Sequence, residues 1–341
     1  MSAPALPMMP PARIAQVNGI QMAYYEAGPR MTGSKPAIPI VLCHGFPELA
    51  FSWRHQIKAL SEAGYWVIAP DQRGYGLTDR PEAVEAYDME HLTGDLVGLL
   101  DHLGVEKAIF CGHDWGGLLV WQMPLLHPDR TAGVIGLNTP YLPRPPVEPI
   151  EAMRKRMGDE MYQVHFQKPG EADSVFNRDA RKVFSFLMKK PGEDEVDGAG
   201  IAKAKASEQG SAFALVRWLE AYQPEQDTRE TFLTEEEFNV FVETFSRTGF
   251  TGGINWYRNI TRNWERSANL PTEINVPSLM VTADQDAFLP PSMSEGMETY
   301  VHDLQRGAIQ SSGHWTQQER PDEVNRVFLH WLLLRFPLEA R

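Results

Sequence analysis

Short apolar runs alternate with helix-like stretches between residues 38 and 137, and this rhythm most constrains the fold. Residues 38–43, 65–69, 108–111 and 134–137 read as strands buried on both faces. Residues 53–63, 89–103 and 116–126 lie between them and carry helical patterns. In the longest, Met89, Leu92, Leu96, Leu99, Leu100 and Leu103 share one face, Asp88 suits the N-cap and Gly104 suits the stop. Alternation of this kind predicts an α/β fold, with a mostly parallel sheet and helices on both faces. A hairpin precedes it, with residues 13–17 and 20–25 flanking Asn18-Gly19.

The rhythm stops at Pro143 and resumes near Asn269. The interval opens with Pro143, Pro145, Pro146 and Pro149 and then reads helical. Thr234 and Glu237 make a capping box ahead of Phe238, Phe241, Val242 and Phe245. Glu193, Asp194, Glu195 and Asp197 sit among glycines and read as a solvated loop. Strands return at 278–283 and 308–311, and a helix from Pro321 turns Val324, Val327, Phe328 and Trp331 inward. The expected organisation is a core from residues 1–142 and 270–341, with 1–12 as a loose arm. Residues 143–269 form a helical cap inserted between the two parts.

Composition removes several function classes. The 341 residues carry 32 Lys and Arg against 45 Asp and Glu, a formal charge of -13. A nucleic-acid backbone or an anionic lipid face calls for the opposite sign. No apolar run approaches the ~20 residues of a membrane helix, so no membrane insertion is expected. Two cysteines, Cys43 and Cys111, build no disulfide framework and fit a reducing, cytoplasmic setting. Each has a histidine close by, His44 and His113, which is thin support for a metal site. The oligomeric state is not legible.

The chemistry concentrates in Gly112-His113-Asp114-Trp115-Gly116-Gly117, at a predicted strand-to-helix junction. Its spacing is that of the G-x-S-x-G nucleophile elbow with aspartate in the serine position. Small neighbours permit a sharp turn that lifts the central side chain out. No G-x-S-x-G occurs elsewhere. His44-Gly45-Phe46-Pro47 follows a buried strand, where such folds supply one oxyanion amide. That assigns the backbone N–H groups of Phe46 and Trp115 as oxyanion donors. Gly313-His314-Trp315 follows the last strand and offers the base, while Asp284 and Asp286 both follow the strand before it. A carboxylate is ionised at neutral pH, so Asp114 can attack an sp³ carbon without a base and form an ester. His314 is then free to activate water. Substrates with a strained or leaving-group-bearing carbon are implied.

Together these residues resemble the soluble epoxide hydrolases of the α/β-hydrolase superfamily. The resemblance rests on HGFPE at 44–48, SWRHQI at 52–57, DQRGYG at 71–76, GHDWGG at 112–117 and LNTPYLP at 137–143. It continues through YQVHFQKPG at 162–170, NWYRN at 255–259 and GHWTQQERP at 313–321, and so covers nearly all the chain after the arm. It is nearest to the hydrolase domain of the vertebrate enzymes. It implies Asp114 as nucleophile, His314 as base and Asp286, ahead of Phe288-Leu289, as the orienting acid. It further implies Tyr162 and Tyr257 as the acids that hold the epoxide oxygen. His165 stands where vertebrate members carry a second tyrosine. The implied reaction adds water to a small apolar epoxide and needs no metal or organic cofactor. Trp115, Phe166 and Trp218 are candidates to line an apolar substrate pocket. The alternative is a haloalkane or haloacid dehalogenase built on the same nucleophile. The former typically has Asn at the Phe46 position, and the haloacetate enzymes have Arg where this chain has Trp115. A non-catalytic receptor on the same scaffold need not keep all five side chains.

Overall fold

The Asn18-Gly19 turn takes positive φ at both residues, 42° and 80°, and pairs Val17 with Ile20 as a two-residue hairpin demands. This computed structural model describes residues 6–192 and 213–338. The acidic run 193–197 and the start of the arm lie outside the described residues.

One sheet of eight strands organises the molecule. Across it run Ala12–Val17, Ile20–Ala27, Val67–Pro70, Ile40–Cys43, Ala108–His113, Thr131–Leu137, Ser278–Ala283 and Leu304–Ile309. The first two pair antiparallel, and Ile20–Ala27 pairs antiparallel with Val67–Pro70. All later neighbours are parallel. Central strands are buried along their whole length, which is why they read as continuous apolar runs.

Of the strands that shift from their expected limits, two have a clear physical reason. The strand expected at 308–311 is Leu304–Ile309, and its first half is polar and only half-buried. An edge strand needs one covered face, so Gln305 and Arg306 hide it from an apolar search. The strand expected at 65–69 is Val67–Pro70, because Tyr65 and Trp66 are buried ahead of the ladder.

Between Leu137 and Ser278 the described residues hold helices and no strand. The Thr234 capping box closes as expected, with Glu237 N–H donating to Thr234 Oγ1 at 3.2 Å and Thr234 N–H to Glu237 Oε2 at 2.9 Å. Glu237 also accepts from the buried Arg54 at 2.7 Å, which pins this segment onto the core. No described helix is long and apolar enough to cross a membrane.

Candidate active site

Asp114 sits between the Ala108–His113 strand and the Trp115–Leu126 helix with φ 53° and ψ -122°. An L-residue adopts that backbone only under constraint, and such strain clusters at functional sites. Close packing supplies the constraint. A Cβ at Gly112 would lie 2.1 Å from the Gly116 carbonyl oxygen, and one at Gly116 2.1 Å from that of Cys43. The turn therefore tolerates no side chain at either position.

The Asp114 carboxylate already occupies the expected oxyanion pocket. Its Oδ1 accepts from the Phe46 N–H at 2.7 Å, and the Trp115 amide also stabilises its charge. Burial raises its pKa above the ordinary 3.8, while His314, His113 and the two amides pull the other way. The Phe46–Pro47 bond is cis.

His314 faces the carboxylate from the opposite side, with Nε2 3.8 Å from Asp114 Oδ2 and Nδ1 2.9 Å from Asp286 Oδ2. Burial alone would depress its pKa, but Asp286 first, then Asp114 and Glu48, outweigh it and raise the value to about 9. Asp286 is itself buried, yet its pKa is held down at about 2 by His314, Asn138 and the Leu289 amide. Its Oδ1 accepts from Phe288 and Leu289 N–H at 2.9 and 3.0 Å, and its Oδ2 from Asn138 Nδ2 at 2.7 Å. Asp284 instead accepts the Ser312 N–H at 3.2 Å and is exposed. The geometry thus separates the two acids that sequence left open.

Tyr162 and Tyr257 come from helices Tyr162–His165 and Thr251–Arg258, far apart in sequence, and their rings meet at 5.7 Å. Burial pushes both hydroxyls above the ordinary 10, and the Asp114 charge adds to the rise in each. Both are therefore protonated and within electrostatic reach of Asp114. Rings hold them in place, with Tyr257 against Trp115 at 4.9 Å, Phe166 at 5.0 Å and Phe46 at 5.4 Å.

The three pocket candidates separate. Trp218 borders a cavity of about 80 Å³ with Leu215, Phe288, Trp315 and His314. Trp115 lines a larger one, about 640 Å³, with Leu118, Tyr141, Ile260 and Trp264. Phe166 is fully buried among Phe46, Phe176 and the two tyrosines and borders neither. It is packing that supports the tyrosines, which a sequence cannot distinguish from a pocket wall. His165 lies apart, 3.4 Å from Glu171.

Sequence reasoning passed over four residues. Asn138, at φ 62°, donates to Asp286, to the His314 carbonyl and to Thr316. Glu48 is fully buried, accepts from Gly45 N–H at 2.9 Å and lies 2.8 Å from His113 Nδ1. His113 Nε2 is 2.7 Å from the His314 carbonyl. Glu319 holds the loop around His314. A buried polar residue leaves no periodic mark, and although all four lie inside quoted segments, nothing in those segments singles their side chains out.

Residues 38–321 match the α/β-hydrolase fold family. Epoxide hydrolase A of Mycobacterium tuberculosis is 43% identical over 330 residues, covering 95% of this chain and 97% of that one. The bifunctional epoxide hydrolase 2 of Mus musculus is 42% identical over 316 residues, 92% of this chain. The chain spans only 54% of that longer protein. Among solved structures, epoxide hydrolase A from Mycobacterium thermoresistibile superposes with a TM-score of 0.82 at 41% identity, covering 95% of this chain and 98% of its own. Sequence kinship and fold point the same way, and the chain belongs to the epoxide hydrolases of the α/β-hydrolase superfamily.

Proposed function

We propose that Asp114, His314, Asp286, Tyr162 and Tyr257 carry the epoxide hydrolysis of this enzyme in two steps, beneath a helical cap formed by residues 143–269. In the first, an Asp114 oxygen bonds to one ring carbon and the ring C–O bond breaks. The departing oxygen takes a proton from Tyr162 or Tyr257. In the second, His314 Nε2 takes a proton from water, and the resulting hydroxide adds to the Asp114 ester carbonyl. The Phe46 and Trp115 amides hold the oxyanion. Collapse frees the diol and returns Asp114 as carboxylate. The His314 imidazolium gives its proton to the tyrosinate left by ring opening before it takes one from water, so both groups end the cycle as they began.

The observation that carries this reading is the convergence of acids and a base on one carboxylate. Two protonated phenols, packed ring to ring, lie within electrostatic reach of Asp114, and a histidine bonded to Asp286 stands 3.8 Å from it. Electrostatics also favour the order of steps. Esterification removes the Asp114 charge, one of the anions that raise the His314 pKa. The histidine thus becomes easier to deprotonate at the stage that needs a base. A dehalogenase releases a halide that needs no proton, so a tyrosine pair gives it nothing. The free, buried thiols of Cys43 and Cys111 and the net negative charge support a cytoplasmic location.

The test is a trapped intermediate. His314→Gln should still alkylate and then stall. Mass spectrometry after epoxide treatment should show one substrate mass on the peptide containing Asp114, absent in Asp114→Asn. An unmodified peptide in a folded variant that binds substrate would favour direct attack by water.

A further inference from the structure

The loop that carries His314 belongs to no helix or strand. Its backbone polar groups are tied almost entirely to side chains. Ser312 N–H donates to Asp284 at 3.2 Å, Thr316 Oγ1 donates to the Gly313 carbonyl at 2.8 Å, and Asn138 donates to the His314 carbonyl at 3.2 Å. The amides on either side of His314 share one partner. Gly313 N–H donates to Glu319 Oε2 at 2.8 Å, and Trp315 N–H donates to Glu319 Oε1 at 2.9 Å. One carboxylate therefore brackets the catalytic position, from the short helix Thr316–Glu319 that follows it.

The helical insert packs on the same loop. A Cβ at Gly313 would lie 2.6 Å from Pro191 and 3.1 Å from Glu319 Oε1. Trp315 Nε1 donates to the Leu187 carbonyl at 2.7 Å. The insert and Glu319 therefore both bear on the residues around His314.

We propose that Glu319 is a positioning residue, whose two hydrogen bonds to the Gly313 and Trp315 amides set His314 for the water-activating step. This inference rests on the two-step reading above and adds a residue that reading does not use. The effect is selective. Without Glu319 two amide donors lose their partner, and the loop relaxes to satisfy them. A displacement of ~1 Å at a catalytic group costs up to about 10²-fold. Asp114, its elbow and the tyrosine pair are held by other contacts, so ring opening should be spared.

Single-turnover kinetics on Glu319→Gln and Glu319→Ala tests this. Ester formation is expected within about threefold of wild type, and ester hydrolysis is expected to slow roughly 10- to 100-fold. In the steady state kcat and KM should then fall together, with kcat/KM kept, because the ester accumulates. A merely structural role would lower the active fraction and leave KM unchanged. Gly313→Ala presses on the same loop and should give the same signature. Hydrolysis at the wild-type rate, equal losses in both steps, or failure of every variant to fold would each overturn the proposal. If neither wild type nor His314→Gln forms any adduct on Asp114, the two-step reading fails instead. An adduct with unaltered hydrolysis in the Glu319 variants sinks this inference alone.

Discussion

Asp114 and His314 sit on the core in a mesh of hydrogen bonds, whereas Tyr162 and Tyr257 sit on the helical insert in a mesh of rings. On the core side, Asp286 alone accepts from two amides and the Asn138 side chain. On the insert side, the Tyr162 hydroxyl accepts from its neighbour Gln163 at 3.0 Å, and its ring packs against Phe166, Tyr257 and Phe288. The difference follows from charge. In the proposed mechanism Asp114 and His314 change charge during the cycle and are served by dipoles fixed around them. A phenol that must still hold its proton when the ring opens is served by apolar burial, which raises its pKa.

The sharpest way to test this contrast is to remove the two hydroxyls and keep the rings. Tyr162→Phe with Tyr257→Phe should leave folding intact, because the ring contacts at 5.7 and 4.9 Å need no oxygen. Loss of one positioned acid costs ~10²–10⁴-fold, so the double variant should lose about 10⁴-fold or more in ring opening. Each single variant should keep partial activity. Stopped-flow rates at the wild-type level in the double variant would remove both residues from the mechanism.

The converse keeps the hydroxyls and removes the rings beneath. Phe166 touches Phe46, Phe176 and both tyrosines and is fully buried. Phe166→Ala should destabilise the protein by roughly 3–5 kcal/mol, read by chemical denaturation. It should leave the His314–Asp286 pair untouched. A loss under about 1 kcal/mol would mean that the tyrosines are held by something other than this cluster.

The same contrast explains what the sequence disclosed. Core residues announce themselves because turns obey backbone rules. Asp114 is legible from glycines that cannot carry a Cβ, and His314 from its place after a strand. Even there, the choice between Asp284 and Asp286 needed either kinship or geometry, since both follow Ser278–Ala283. The insert has no such grammar. Tyr162 and Tyr257 are ordinary aromatics on amphipathic helices, and only resemblance to a family singled them out. Phe166 shows the cost, as a ring that reads equally as pocket wall or as packing, and that is fully buried against Phe46, Phe176 and both tyrosines. Glu48 and Asn138 leave no local pattern because their partners His113 and Asp286 lie far off in sequence, and Glu319 because it bonds backbone amides, which carry no side-chain signature. The edge strand Leu304–Ile309 was shortened for a related reason, since half of it faces water.

The gentlest perturbation leaves both meshes and removes one charge. Asp286→Asn keeps the shape of the acid and deletes the main anion that lifts the His314 pKa to about 9. Asp286 lies near 2 in the fold against an ordinary 3.8, so its contribution is present above the ordinary value and is lost as pH falls toward 2. His314 lies near 9 against an ordinary 6.5, so its contribution is whole below 6.5 and vanishes as pH rises through 9. The pair therefore stabilises the protein most in the window between those ordinary values. At ~1.36 kcal/mol per pKa unit, the full rise in His314 is worth on the order of 3 kcal/mol, with Asp114 and Glu48 sharing in it. Asp286→Asn should cost no more than this near pH 5.5 and progressively less as pH rises from about 6.5 to 9. In the same variant the His314 ring protons, followed by NMR, should titrate well below 9, because burial then acts against a weaker field. A histidine that still titrates near 9 would show that Asp114 and Glu48, and not Asp286, set its charge, and the core mesh would then centre on the nucleophile.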